Sequence, residues 1–426
     1  MLIDFRVKNF RSLRDEQVLS LVANNDKTLR KSNTIKSGIK VAPTLLRSAV
    51  IYGQNAGGKS NLIKALQYMR GVVTESASIM QPGQVFGVQP FRLDAKSSQL
   101  PTEFEITFLI DGVRHQYGFS ITVERVINEY LLVYKAFKPQ LWFERTYDAL
   151  LDKYIYKHNS NLKGQKVLWE SATRPNSLFL SMAVQLNSEQ MRPVFDWFNN
   201  KLIVFNEITP LNPQLSIEML RKPEGKKAIC HFMAAADISI ENIEVVTRRQ
   251  PVQSFHVDFV AGKHEMKNEE QDVNELLFHH VTDQGTAIFG LGDESTGTRN
   301  LLFLIGPILE LVQNGVSLVI DELDSSLHPL LVRSLVELLH NPELNTNGAQ
   351  LIFSTHDTSL LDPDLFRRDQ IWFVEKQRDQ SSKLYPMSDF SPRKNEAFER
   401  GYLGGRYGAL PFFSDDFINS SQIKAN

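Results

Sequence analysis

The chain has 426 residues, of which 42% are hydrophobic and 23% charged, a composition typical of a globular protein with one large core or two ordinary ones. Its net charge of −2 gives no overall basic field to attract nucleic acid, although a local basic patch is compatible with it. The single cysteine, Cys230, excludes an internal disulfide framework and a thiolate metal cage, and it suits a reducing compartment.

No segment has the character of a membrane anchor. The N-terminal residues carry charges every few positions and lack the apolar core of a signal peptide. The longest apolar run, at 301–312, is too short to span a bilayer. The sequence therefore predicts a soluble, cytoplasmic protein without membrane contact.

The first elements along the chain are a strand, a second strand and a helix. "LIDFRVKNFRS" (2–12) predicts a strand and turn, and "SAVIYG" (48–53) predicts a buried strand that ends in glycine. "NLIKALQYM" (61–69) has its apolar residues at helical spacing.

Residues 90–160 change to a β pattern. "TEFEITFLIDGVRHQYGFSITVE" (102–124) alternates apolar and polar residues on both sides of an Asp-Gly pair, which predicts a hairpin. Further short strands are predicted at 129–137, 141–147 and 153–158.

The remaining elements are predicted to be helical at first and α/β towards the end. A mixed, mainly helical stretch covers 175–240, and two strands follow at 241–249 and 254–262. From Leu277 onward, helices and apolar strands alternate, as in a parallel sheet that is covered on both faces. The predicted elements of this part are a helix at 299–311, a strand at 316–321, a helix at 329–339, and strands at 350–354 and 370–374.

These elements predict an α/β fold with a mainly parallel sheet, an N-terminal antiparallel β portion, and a large β-rich and helical insert. The corresponding domain prediction is an ATPase head that is split by the insert. Its first part is 1–79, the insert is 80–275, and its second part is 276–426.

A phosphate-binding loop follows the strand at 48–53. In "GQNAGGKS" (53–60) glycines allow backbone N–H groups to turn towards a β-phosphate, Lys59 supplies a cation, and Ser60 supplies a hydroxyl ligand for Mg²⁺. The strand before the loop and the helix after it are the context that this motif requires. The residues predicted to bind ATP here are Gly53, Asn55, Gly57, Gly58, Lys59, Ser60 and Asn61.

A second acidic motif, "VSLVIDELD" (316–324), matches a Walker B strand. Asp321 is predicted to orient Mg²⁺, and Glu322 is predicted to polarise the attacking water. The insert separates these residues from Ser60, whereas small GTPases and simple kinases have the two motifs much closer. No guanine-reading Asn-Lys-x-Asp tetrapeptide occurs, so ATP is favoured over GTP.

The segment just before the Walker B strand resembles the signature of ABC-type ATPases. In "ESTGTRN" (294–300), Ser295 and Gly297 take the serine and second-glycine places, while Glu294 and Thr296 depart from the usual leucine and first glycine. A serine and free N–H groups at a helix N-terminus suit a γ-phosphate. The alternative is an ordinary N-cap of the following helix.

Two more residues complete the predicted site. Asp324 belongs to a segment that resembles a D-loop, and His356 ends the next strand in "QLIFSTHD" (350–357). His356 is predicted to act as the switch histidine beside Glu322.

Together these motifs resemble the soluble ABC-type ATPases of the SMC/RecF kind. Within that kind the chain resembles the overcoming-lysogenization-defect-like, RloA-like class without a nuclease domain, along nearly its whole length. The quoted segments that carry the closer resemblance are "PFRLD" (90–94), "VIDELDSSLHPLL" (319–331), "IFSTHDTSLLD" (352–362) and "YLGGRYGALPF" (402–412). The resemblance implies Arg11 in the opening "VKNFRSL" as a nucleotide-facing cation. It also implies a Q-loop glutamine that binds the metal, for which Gln89 is the first candidate and Gln84 the second.

The resemblance further implies function and partners. Two copies of the chain would bind ATP between their heads, with Ser295 of one subunit contacting nucleotide held by Lys59 of the other. The implied role is a sensor and regulator in prokaryotic phage defence, beside a separately encoded effector such as a TOPRIM-like or HNH nuclease. The alternative is a DNA-repair-like ATPase that clamps DNA, so nucleic acid stays a possible partner.

Two further features concern the C-terminal part. "IWFVEKQ" (371–377) is similar to the start of a TOPRIM fold, but no Asp-x-Asp follows, which favours a core strand. Two interpretations apply equally to "ERGYLGGRYGALPFF" (399–413). The segment contacts a partner or nucleic acid through Arg406 and Tyr407, or it is a surface loop packed on the core of its own chain.

Overall fold

The structure, a computed structural model, describes residues 1–136, 138–205, 213–235, 240–258, 263–325, 327–390 and 397–410. The chain divides into two compact units. The first unit contains 1–208, 311–325 and 335–426, and the second unit contains 209–310 and 326–334. The predicted boundaries at 79 and 275 stay a prediction.

The described residues form eighteen strands and ten α-helices. The strands are β1 Leu2–Lys8, β2 Gln17–Ser20, β3 Thr34–Lys36, β4 Thr44–Leu46, β5 Ser48–Gly53, β6 Thr102–Ile110, β7 Val113–Ile121, β8 Val126–Tyr134, β9 Gln140–Asp148, β10 Lys153–His158, β11 Leu202–Phe205, β12 Asn242–Asp258, β13 Lys263–Thr282, β14 Gly285–Gly290, β15 Ser317–Ile320, β16 Gln350–Ser354, β17 Ile371–Lys376 and β18 Ser382–Pro386. The helices are α1 Arg30–Asn33, α2 Lys59–Glu75, α3 Lys166–Ala172, α4 Phe179–Gln185, α5 Arg192–Asp196, α6 Gln214–Leu220, α7 Pro223–Ala235, α8 Thr296–Asn314, α9 Pro329–His340 and α10 Phe398–Leu403.

A mainly parallel sheet forms the centre of the first unit. Its strand order is β11-β15-β16-β5-β17-β18, and all neighbours are parallel except the last pair. Every residue of β5, β15 and β16 is buried, because strands in the middle of a covered parallel sheet face apolar layers on both sides. The predicted α/β class with a mainly parallel sheet is confirmed.

A second, antiparallel sheet of this unit has the order β10-β9-β8-β7-β6-β1-β2, and β3 and β4 form a separate antiparallel hairpin. The predicted hairpin at 102–124 is present as β6 and β7, which meet at the Asp-Gly turn between Ile110 and Val113. β6 also pairs with β1 along six residues. The first strands of the predicted insert therefore extend the N-terminal sheet.

Helix α2 connects the phosphate-binding loop to the core of the first unit. It buries Leu62, Ile63, Leu66 and Met69, the apolar face that the sequence predicted. These residues belong to one hydrophobic cluster with residues of β1, β5 and β6–β9. Burial of this face fixes the start of α2, and with it the position of Lys59.

The second unit contains a three-stranded antiparallel sheet in the order β12-β13-β14. β12 is one continuous strand where two strands were predicted, at 241–249 and 254–262, and residues 259–262 lie outside the described residues. β13 and β14 were not predicted. β13 lacks an alternating apolar pattern. Most of it is defined by its pairing with β12, in which every residue of β12 takes part.

Among the residues that the structure describes, no helix combines the length and the apolar character needed to cross a bilayer.

Candidate functional site

The phosphate-binding loop lies between β5 and α2, at the carboxyl end of the parallel strands. Gly58 precedes the first residue of α2 and has φ 114°, in the left-handed region that favours glycine. A Cβ added at Gly58 would lie 2.1 Å from Ser382 Oγ, and one at Gly53 would lie 2.3 Å from the carbonyl oxygen of Val374. The loop therefore needs glycine at both positions because β17 and β18 pack directly against it.

Lys59 is only 5% exposed, and its ammonium group folds back onto its own loop. Nζ donates hydrogen bonds to the carbonyl oxygens of Gly53 at 2.7 Å and Gln54 at 3.4 Å. Burial lowers the pKa of Lys59, and the nearby carboxylates of Asp321, Glu322 and Asp324 oppose that shift. The cation thus lies at the edge of the sheet near three acidic residues, while its direct partners are backbone carbonyls.

The Walker B residues follow β15 and are held by a serine that ends β16. Asp321 is 4% exposed and accepts a hydrogen bond from the hydroxyl of Ser354. The same Ser354 Oγ accepts a hydrogen bond from the backbone N–H of Glu322 at 2.8 Å. Ser354 therefore fixes both acidic residues, and the sequence offered no signal for it beyond its place before His356.

The two residues predicted to be catalytic are neighbours. His356 Nε2 lies 4.0 Å from Glu322 Oε1, and the two side chains are 43% and 47% exposed. Burial lowers the pKa of His356, and the positive charge of Lys59 lowers it further, so the imidazole is neutral at neutral pH. Glu322 has φ 50°, an uncommon backbone state for this residue type. Their catalytic roles stay predictions.

Asp324 faces the same edge of the sheet. Its Oδ2 accepts a hydrogen bond from the backbone N–H of His356 at 3.1 Å. Its Oδ1 is buried and has no hydrogen-bond partner among the described residues. An unpaired buried carboxylate oxygen is costly, and no described residue offsets that cost at Asp324.

The side chains present fit a Mg²⁺ ion that is shared with phosphates. No group of three or more His, Cys, Asp or Glu residues in the described part of the chain is arranged to hold a metal by itself. Mg²⁺ is usually bound by one or two protein ligands together with phosphate oxygens and water. Ser60 and Asp321, two of the three predicted ligands, supply that number and chemistry, and Gln89 stays a predicted third.

A group of serines connects the phosphate-binding loop to two distant parts of the chain. The hydroxyl of Ser382 on β18 donates a hydrogen bond to the carbonyl oxygen of Gly57 at 2.6 Å and contacts Ser12 Oγ at 2.8 Å. Asn61 Nδ2 donates a hydrogen bond to the same Ser12 Oγ at 2.7 Å. We call Ser12 and Ser382 the serine brace. Sequence reasoning missed both residues because an isolated serine carries no pattern.

Arg11 and Gln89 come together through the backbone. The N–H of Arg11 donates a hydrogen bond to the carbonyl oxygen of Gln89 at 2.7 Å, and Arg11 has φ 51°. Arg11 Nε is buried without a hydrogen-bond partner among the described residues, and the side chain of Gln89 is exposed. The second Q-loop candidate, Gln84, accepts a hydrogen bond from the N–H of Gln81. The predicted roles of Arg11, Gln89 and Gln84 stay predictions.

The predicted signature lies in the second unit, at the start of α8. Ser295 Oγ accepts a hydrogen bond from the backbone N–H of Thr298 at 3.1 Å, which makes Ser295 an N-cap. The side chain of Ser295 is exposed, whereas Glu294 is buried and pairs with His280 at 2.6 Å. Ser295 therefore caps α8, as the alternative interpretation predicted. The contact of Ser295 and Gly297 with nucleotide held by another subunit stays a prediction.

The glycine-rich aromatic segment packs on the core of the first unit. Tyr407 is fully buried, and its ring stacks on Phe373 with 5.7 Å between the ring centroids. Tyr402 is 5% exposed and stacks on the same phenylalanine. Residues 411–413 lie outside the described residues. In the described part, Tyr407 is thus a core residue and is not accessible for stacking on a base.

Comparison with known protein families gives one match that covers most of the chain. The family described as "AAA domain, putative AbiEii toxin, Type IV TA system" matches residues 48–362. The chain belongs to this family. The matched range begins with the first residue of β5 and includes the phosphate-binding loop, Ser295, the Walker B residues and His356. The chain thus carries an AAA domain of the AbiEii-type family.

Solved structures similar to this AbiEii-type chain include two SMC heads. The SMC head domain from Thermotoga maritima has 12% sequence identity and a TM-score of 0.42, with 90% of this chain and 98% of that chain covered. The Smc head domain with a coiled coil and joint derived from Pyrococcus yayanosii has 10% identity and a TM-score of 0.40, with 90% and 96% covered. No curated protein sequence matches the chain.

Proposed function

We propose that the chain is a Mg²⁺-dependent ATPase that dimerises head-to-head on ATP and regulates a separately encoded effector in prokaryotic phage defence. The observation that carries the enzymatic part is the arrangement around Lys59. One buried cation, three carboxylates and a neutral histidine meet at the carboxyl edge of one parallel sheet. Nucleotides bind at this edge of open α/β sheets.

ATP binding in this proposal uses the loop from Gly53 to Asn61. The start of α2 offers free N–H groups to phosphate oxygens, and Lys59 exchanges its carbonyl partners for those oxygens. Ser60 and Asp321 hold Mg²⁺, which when bound supplies positive charge next to the phosphates. Asn55, exposed at the tip of the loop, closes over the nucleotide.

Hydrolysis in this proposal depends on Glu322 and His356. Glu322 orients the attacking water, and its half-exposed carboxylate is accessible for that task. His356 is neutral, so it can donate one hydrogen bond through an N–H and accept another through its second ring nitrogen. It therefore helps to hold the water and the γ-phosphate without adding a charge.

The regulatory part of the proposal involves a second subunit and a separate effector protein. In the proposal, Ser295 and Gly297 of one subunit complete the nucleotide site of the other, and the closed dimer activates or releases a TOPRIM-like or HNH nuclease. The description of the family names a Type IV TA system, which supports a role in a system of several components. The RloA-like, restriction-linked subclass belongs to this proposal.

A pair of variants tests the enzymatic proposal. Lys59→Ala should abolish ATP binding, measured by titration with a fluorescent ATP analogue. Glu322→Gln should keep binding but reduce hydrolysis about 100-fold or more, because it removes the group that polarises water. The exposed Glu343→Gln is the matched control and should behave as the parent. Hydrolysis at the parental rate in Glu322→Gln would show that Glu322 has another role.

Co-purification tests the regulatory proposal. The product of the adjacent reading frame should bind the ATP-loaded Glu322→Gln chain and the nucleotide-free chain to different extents. Equal binding in both states would contradict nucleotide control. Stimulation of ATP hydrolysis by double-stranded DNA without the effector would favour the DNA-clamping alternative.

A further inference from the structure

A continuous stretch of the N-terminal region contains only basic charges. Between Asp26 and Glu75 there is no acidic residue, although the whole chain has a net charge of −2. The basic residues in the first half of this stretch are Lys27, Arg30, Lys31, Lys36, Lys40 and Arg47. Such a local excess of positive charge creates an attractive field for anions.

Five of these residues line one cavity of about 910 Å³, which we call the basic groove. Its cations are Lys27, Arg30, Lys31, Lys36 and Arg47. The other lining residues are three with hydroxyl groups and two aliphatic ones, and none is acidic. The groove is built by α1 and the β3–β4 hairpin, and it shares no lining residue with the phosphate-binding loop.

Arg47 is the least accessible of these cations. It is 4% exposed, and its Nη1 donates a hydrogen bond to the carbonyl oxygen of Asn345 at 2.6 Å. Its Nε is buried without a partner, and no carboxylate pairs with the guanidinium among the described residues. A buried, unpaired guanidinium is costly, and an anion bound in the groove would offset that cost.

The rim of the groove is equally free of counter-charges. Within the described part of the chain, Lys27, Lys31 and Lys36 form no ion pair, and Arg30 donates a hydrogen bond to the hydroxyl of Thr44 at 3.3 Å. By contrast, Arg367 and Arg368 nearby in the fold pair with Asp369 and Asp26. The positive charge of the groove is therefore not neutralised internally.

We propose that the basic groove is a second ligand site, which binds the polyphosphate group of a small molecule. The volume lies in the range of small-molecule sites, roughly 300–1,000 Å³. The cations bind several phosphate groups, and the hydroxyl of Thr44, which accepts a hydrogen bond from Arg30, donates one to a phosphate oxygen. Leu29 and Ile35 contact an apolar or planar part of the ligand. The proposal does not depend on ATP hydrolysis.

Binding of inorganic tripolyphosphate tests the proposal. The full chain carrying Lys59→Ala is titrated by calorimetry at low ionic strength without Mg²⁺, so that the phosphate-binding loop does not contribute. We expect saturable one-to-one binding. The double variant Lys31→Glu and Lys36→Glu should weaken it about tenfold or more, because two attractive charges become repulsive.

A control and a competitor complete the experiment. Lys153→Glu, at an exposed position on β10, should leave the affinity within about twofold. No saturable binding, or equal weakening by Lys153→Glu, would overturn the proposal. A single-stranded oligonucleotide that binds through the groove and is not displaced by tripolyphosphate would also overturn it, in favour of a nucleic-acid surface.

Discussion

The hydroxyl of Ser382 donates a hydrogen bond to the carbonyl oxygen of Gly57, although the two residues are 325 positions apart in the sequence. This contact joins a strand from the last part of the chain to the loop predicted to hold phosphates. Because Ser382 Oγ also contacts Ser12 Oγ, the N-terminal turn takes part in the same connection. The serine brace therefore fixes the loop from outside the motif.

Removal of the brace should affect nucleotide binding more than the chemical step. Ser382→Ala deletes both hydroxyl contacts, so we expect KM for ATP to rise several-fold while kcat changes less. The free energy of unfolding should fall by about 1–2 kcal/mol, because two intramolecular hydroxyl contacts are lost. Steady-state ATPase kinetics and urea unfolding measure the two effects.

Ser381→Ala is the matched control for the brace. The hydroxyl of Ser381 donates a hydrogen bond to Asp379 Oδ1 at 2.6 Å, and among the described residues it makes no hydrogen bond with the loop. We expect a similar change in stability with no change in KM. An identical KM for Ser382→Ala and the parent would contradict a positioning role for Ser382.

The proposed head-to-head dimer predicts complementation between two inactive variants. Lys59→Ala removes the phosphate cation, and Ser295→Ala removes the hydroxyl predicted to act on the other subunit. Mixed dimers contain one site in which both residues are intact, so activity should return on mixing. The ATPase rate at several mixing ratios measures this, and no recovery at any ratio would count against a shared site.

Buried His340 predicts a loss of stability at mildly acidic pH. Burial, with the charge of Arg47 as a second cause, lowers the pKa of His340 from 6.5 to about 3. His340 Nε2 is hydrogen bonded with Ser48 Oγ at 2.8 Å. Below about pH 6.5 the imidazole of His340 is therefore protonated in the unfolded chain but stays neutral in the folded chain. The free energy of unfolding consequently decreases as the pH falls from about 6.5 towards 3.

A variant that cannot titrate should flatten this pH dependence. Between pH 7 and pH 5, we expect His340→Gln to lose about 2 kcal/mol less stability than the parent. Urea unfolding at both pH values measures the difference. His231→Gln, at an exposed position on α7, is the control and should keep the parental dependence. The prediction fails if His340→Gln and the parent show the same pH dependence.

The sequence predicted the elements that are determined by neighbouring residues, through an apolar pattern, a turn or a helix cap. β10 and β16 have the bounds that the sequence indicated, and the hairpin at 102–124 forms as expected. The helix expected at 299–311 begins earlier, at Thr296, because Ser295 caps it. Apolar periodicity, turn chemistry and capping are read from neighbouring residues, so a single sequence suffices for them.

Elements that depend on distant partners were not predictable in this way. β13 is rich in charged residues, and it is defined by pairing with β12 along its length. β11 is a short edge strand within a region expected to be helical. In the site, the motif residues were recognisable, but Ser354 and the serine brace were not, because their importance lies only in contacts across the fold.

The central position of β5 has a consequence for synthesis of the protein. Its neighbours in the sheet are β16 and β17, and the side chain of Gln370 reaches back to Ser48 across 322 residues. Until the ribosome has made those late strands, β5 has no sheet to join, and the loop after it has no Val374 or Ser382 to pack against. The phosphate-binding loop is translated early, yet it becomes a binding site only when nearly the whole chain has emerged.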